Sequence, residues 1–88
     1  TEGAARADLL AQARDLLLRL EKAEKGRGAW RLACISALEG HADLCRRWLE
    51  RARAHAGIPA RSVLETEPYL NPVRDQKWFR RFLRDLDD

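Results

Sequence analysis

The chain has 88 residues, 45 % of them hydrophobic and 35 % charged, with a formal net charge of +3 and a sequence pI near 9.3. That length makes one small domain, able to bury roughly 60 to 65 % of the surface its unfolded chain exposes, and the balance excludes a disordered or low-complexity tail. No apolar run approaches the roughly 18 residues of a membrane span and no signal-peptide pattern opens this stretch. With a start at Thr1 and no methionine it reads as cut from a longer protein, or processed, and two cysteines, too few for a secreted disulfide framework, point to a reducing, cytoplasmic setting.

Taken in order, the spacing predicts a first helix over about 4–25. Leu9, Leu10, Ala13, Leu16, Leu17, Leu20 and Ala23 form one apolar stripe at helical period. Asp15 with Arg19, and Glu21 with Lys25, are acid-first pairs four residues apart, a spacing worth a few tenths of a kcal/mol each. Lys22 and Lys25 complement the negative helix pole, and Gly26 is placed to end the helix as a left-handed cap. A second helix is expected over 27–39, ended by Gly40. A third is expected over 42–56, with Asp43 in its first turn and Gly57-Ile58-Pro59 closing it. Ser62-Val63-Leu64-Glu65 has the form of a capping box, so a short helical turn is expected over 62–66. Asn71-Pro72 suits a helix start, Asn as cap and Pro in the first turn, giving a last helix over about 72–86. Its face of Trp78, Phe79, Phe82, Leu83 and Leu86 calls for burial against the rest of the chain, at roughly 1.5 to 3 kcal/mol per large side chain. The expected fold is all-α, with four to five helices.

The densest pattern lies in 30–52, WRLACISALEGHADLCRRWLERA. Small residues (Ala33, Ala37, Cys45, Ala52) alternate with large ones (Trp30, Leu32, Leu38, Trp48, Leu49), so that two antiparallel helices can approach closely and interlock. Leu32-Ala33, Gly40 at the turn, Cys45, Leu49 and Ala52 resemble a tetratricopeptide repeat, a helical hairpin of about 34 residues per unit. Leu64, Pro68, Leu70, Pro72, Arg74, Asp75, Phe79 and Leu83 resemble the segment that often ends bacterial arrays of that family. The resemblance covers about 30–86. It implies a hairpin with a preceding helix and a C-terminal capping helix.

Catalytic signals are few. There is no Gly-rich phosphate loop, no CxxC and no metalloprotease motif. His41 and Cys45 lie four apart, a spacing that can place two metal ligands on one helix face, but no further His or Cys has a reason to join them. Cys34 and Cys45 fall in apolar stripes, where a free cysteine behaves as a small hydrophobe in a reducing compartment. No catalytic residue, metal or cofactor is assigned.

Binding is the better-supported class. The resemblance implies a groove lined by the second helix, with Arg27, Trp30, Arg31, Cys34 and Leu38 facing a partner peptide or helix. Arg27 and Arg31, four apart, could together hold an acidic side chain or a terminal carboxylate. Read structurally instead, the two arginines form a solvated face and Trp30 packs on the first helix. Two alternatives stand beside this one. Arg46, Arg47, Arg51 and Arg53 on the third helix could meet a nucleic acid or other polyanion, although Glu50 interrupts them and Trp48 belongs to the apolar stripe. The chain could also be a structural cap or self-associating piece, a homodimer included. Arg74, Lys77, Arg80, Arg81 and Arg84 give the last helix a basic side that could face anionic lipid, but Asp85, Asp87 and Asp88 nearby would repel such a surface.

Overall fold

The structure, a computed structural model, describes residues 2–55 and 57–86, with side chains from residue 8 onward. Five α-helices follow in order: α1 (Glu2–Ala23), α2 (Ala29–Leu38), α3 (Ala42–Ala54), α4 (Arg61–Thr66) and α5 (Lys77–Asp85), with a 3₁₀ helix, Pro68–Val73, between the last two. Among the described residues there is no strand, and the fold is all-α.

The α2–α3 hairpin is fixed by its turn. The amide of His41 donates to the Ser36 carbonyl (2.8 Å) and that of Gly40 to the Ala37 carbonyl (3.1 Å). These two bonds make a Schellman ending, in which Gly40 takes the left-handed conformation at φ +82°. Alternation of small and large side chains then does what the sequence suggested. Ala33, Cys34 and Ala37 of α2 meet Cys45 and Leu49 of α3 in one buried cluster. Leu64, Leu70, Val73, Phe79 and Phe82 complete that cluster, with Trp30, Trp48, Ile58, Trp78, Leu83 and Leu86 packed at its edge. Helix α2 is central, with α1, α3 and the 3₁₀ helix all packed on it.

A second junction ties the ends of α1 and α3. Gly26, at φ +90°, passes so close to α3 that a Cβ there would lie 2.5 Å from the Cβ of His55. A Cβ on Gly57 would lie 2.1 Å from the Gly26 carbonyl oxygen, so neither position admits a side chain without moving backbone.

Several expectations need correction. Helix α1 ends at Ala23, so Lys25 is in the turn and Glu21 does not pair with it. Glu21 turns inward to Arg51 instead. The apolar stripe of α1 also divides: Leu10, Ala13, Leu17 and Leu20 are half-buried, while Leu9 and Leu16 remain 66 % and 64 % exposed. Helix α2 begins at Ala29 rather than 27, and α3 ends at Ala54; Ala56 lies outside the described residues. The Ser62–Glu65 capping box does not form. Helix α4 starts one residue earlier with Ala60 as its cap, because Glu65 accepts from Arg61 (2.7 Å), one turn back on its own helix. Asn71-Pro72 falls inside the 3₁₀ helix, and α5 starts only after Gln76.

The reason for that last difference is Arg74. Its guanidinium donates to the carbonyls of Leu64 (3.3 Å) and Glu67 (2.6 Å), to that of Glu65, and to Asn71 Oδ1 (3.1 Å). It satisfies the open carbonyls at the end of α4, and the Asn71 side chain is thereby occupied as its acceptor.

Candidate functional site

Between α1, α2 and the start of the 3₁₀ helix runs a groove of about 280 Å³. Leu10, Ala13 and Leu17 form the α1 wall; Trp30, Arg31, Cys34, Ile35 and Leu38 come from α2; Glu67 and Tyr69 close the third side. The two helices stand at this spacing for identifiable reasons. At one end Arg14 of α1 is paired with Glu39 at the end of α2. At the other, the buried Glu21 carboxylate accepts from the amides of Gly26 (2.7 Å) and Gly28 (3.0 Å) and from Arg51 Nε of α3. One carboxylate therefore caps the start of α2, holds the α1–α2 turn and clamps α3.

The floor of the groove is apolar in its chemistry as well as its lining. Burial pushes the Cys34 thiol up to about 12; the Glu67 carboxylate adds to the rise and Arg31 opposes it. Burial also pushes Cys45 up to about 12, with Cys34 adding. Both cysteines are free, and at neutral pH both are thiols rather than nucleophilic thiolates.

Of the residues singled out by sequence, the structure brings Trp30, Arg31, Cys34 and Leu38 to this groove and leaves Arg27 out. Arg27 precedes α2, because Gly28 is needed as its cap: a Cβ on Gly28 would meet the Leu17 carbonyl oxygen at 2.6 Å. Arg27 pairs with Glu24 across the turn (2.8 Å), both side chains exposed. Arg27 therefore lies in the turn, off the helix that carries Arg31, and does not join it in lining the groove. Arg31 is exposed and makes no ion pair with the described residues. Leu10 and Leu17 were visible in the α1 stripe but not as groove residues. Glu67 and Tyr69 carry no periodic signal, since they sit at the cap and in the first turn of a short 3₁₀ helix that contains two prolines.

The four arginines of α3 do not form one face. Arg51 is turned inward onto Glu21. Arg46 reaches Glu50 (3.3 Å) and lies over the Trp78 ring, 6.0 Å from its centroid. Arg53 stacks over Phe82 at 4.9 Å, and Arg47 is exposed. On α5, Arg80 lies 3.7 Å from Asp75, while Arg74 is committed to the carbonyls of the preceding segment; Asp87 and Asp88 lie outside the described residues. His41 is exposed and Cys45 fully buried, so the two do not converge. Among the described residues no three His, Cys, Asp or Glu side chains are grouped to hold a metal ion.

The chain matches no family model, no curated protein and no solved structure. None of the described helices is long and apolar enough to cross a membrane.

Proposed function

We propose that the chain is a protein-interaction module, similar to the terminal unit of a tetratricopeptide array, and that it docks a short amphipathic segment of a partner in the α1–α2 groove. The observation that carries this reading is the convergence of Trp30, Arg31, Cys34 and Leu38 with Leu10 and Leu17 on one apolar channel. The channel is large enough for one or two big side chains. Each such anchor contributes roughly 1.5 to 3 kcal/mol when buried, and a few anchors of this kind dominate affinity at protein interfaces. The partner is acidic next to its anchor, because Arg31 at the rim is a free cation whereas Glu67 already accepts from the Tyr69 amide (3.3 Å). A guanidinium meeting a carboxylate makes the stronger, charge-assisted class of hydrogen bond.

Peptides selected by display on the intact chain provide the test. Arg31→Glu and Tyr69→Ala, both at exposed positions, are expected to weaken the selected peptide about tenfold or more, equivalent to about 1.4 kcal/mol. Arg27→Glu is expected to leave it unchanged. Binding insensitive to both Arg31→Glu and Tyr69→Ala would place the site elsewhere.

A further inference from the structure

On the other side of the hairpin, α3 and α5 enclose a second cleft, of about 180 Å³, whose residues the groove does not share. It is lined by Arg46, Glu50, Arg53, Lys77, Trp78, Arg81, Phe82 and Asp85. Four cationic side chains thus face two carboxylates around a pair of aromatic rings. Two of the cations are held in place by those rings: Arg46 stands 6.0 Å from the centroid of Trp78 and Arg53 4.9 Å from that of Phe82. Stacking restrains a guanidinium while leaving the N–H groups at its edge available for an acceptor in its own plane.

The partners of these cations matter next. Among the described residues, the side chains of Arg53, Lys77 and Arg81 make no hydrogen bond or ion pair. Arg46 has only its exposed pairing with Glu50, at 3.3 Å, an arrangement of little net worth that a better acceptor displaces. Arg46 and Arg53 are two helical turns apart, about 10.5 Å along the axis, while Lys77 and Arg81 are about one turn apart on the opposite wall. The cleft therefore sets four cations, among the described residues, against two carboxylates, Glu50 and Asp85.

We propose that the α3–α5 cleft binds an acidic segment of a protein partner, whose carboxylates are received by Arg46, Arg53, Lys77 and Arg81. Two features favour a peptide over a nucleic acid. Phe82 is buried and Arg46 lies over the half-buried Trp78, so the cleft offers one partly covered ring rather than a row of open faces on which successive bases stack. Glu50 and Asp85 would repel a continuous phosphate backbone, yet can accept from the amide or ammonium groups of a mixed peptide chain. The cleft volume admits one or two carboxylate side chains, which is enough for an acidic strand lying across its mouth.

Labelled poly-glutamate and oligothymidylate of equal formal charge, titrated by fluorescence anisotropy into the whole chain, decide the matter. Poly-glutamate is expected to bind saturably, to shift the NMR indole signal of Trp78 but not that of Trp30, and to weaken about tenfold or more in Lys77→Glu/Arg81→Glu. Both substituted positions are exposed; circular dichroism checks that the variant is folded, and Lys77→Gln/Arg81→Gln serves as the milder version. Arg19→Glu/Lys22→Glu on α1, which changes net charge equally, is expected to have less than one-third of that effect. The proposal is overturned by absence of saturable binding, by equal weakening in the α1 control, or by tighter binding of oligothymidylate. Since the two sites have no lining residue in common, the failure of either reading leaves the other standing.

Discussion

Glu21 is 3 % exposed, and few carboxylates are found so far from water without a charge partner. Its burial works to raise its pKa, but the Gly26 amide, the Arg51 side chain and the Gly28 amide together outweigh that and hold it below its ordinary value. A depressed folded-state pKa means that the ionised form stabilises the fold. That contribution is complete above the unfolded-state value, about 4.3, and disappears as pH falls through the folded-state value. Glu21→Gln keeps the shape of the side chain but removes its charge and makes one acceptor a donor. Arg51 is part-exposed and can turn to water, so the expected loss at neutral pH is about 2 to 3 kcal/mol, below the full cost of orphaning a deeply buried ion. Urea denaturation from pH 7 downward measures it. The gap between wild type and variant is expected to narrow in the acid range; a gap constant down to the lowest pH would show that the charge is not what stabilises the junction.

At the scale of elements, legibility followed the kind of signal each one carries. Helices α2 and α3 were legible because helical spacing and the Gly40 ending act within a few residues of one another. The grouping of Trp30, Arg31, Cys34 and Leu38 on one groove is what the tetratricopeptide resemblance implies rather than what spacing alone gives, and all four line the channel between α1 and α2. In the segment from 60 to 76 the short helix α4 was legible to within one residue, but its cap and the start of α5 were not, because long-range bonds override local ones: Arg74 draws in carbonyls up to ten residues away, and neither the capping box nor the Asn71 cap competes with it. Helix α1 was legible as a helix but not in its orientation, since its leucines surround more than one face. Helix α5 shows the reverse dependence. With nine residues it is too short to be stable alone, and it stays helical by burying Phe79 and Phe82, with Trp78 and Leu83 packed beside them. Phe79 is fully buried and meets Trp78 edge to face at 5.7 Å between ring centroids. Phe79→Ala is expected to cost about 3 to 5 kcal/mol, and the amides of α5 are expected to lose hydrogen-exchange protection before those of α2 and α3. Uniform loss across all helices would show instead that α5 unfolds only with the whole domain.

For the whole molecule, the question is whether the α1–α2 groove opens separately from the core beneath it. Both cysteines belong to the buried cluster, but only Cys34 also borders the groove. Cys34 lines the groove floor, whereas Cys45 is fully buried between α2 and the surrounding cluster. Both thiols are pushed up to about 12, so in the native state near pH 8 neither is a useful nucleophile and labelling reports opening of the structure. Reaching Cys34 requires only that α1 or the 3₁₀ segment move aside; reaching Cys45 requires the core to come apart. With Cys34→Ala and Cys45→Ala used to isolate each site, the Cys34 thiol is expected to react with a disulfide reagent at least tenfold faster than Cys45. Only the Cys45 rate should then follow global stability, rising in Glu21→Gln in step with the loss measured by urea. Occupation of the groove by a selected peptide should slow Cys34 by more than it slows Cys45. Identical rates for the two thiols, moving together in every variant, would mean that the domain opens as a single cooperative unit and that the groove walls are as stable as the core they cover.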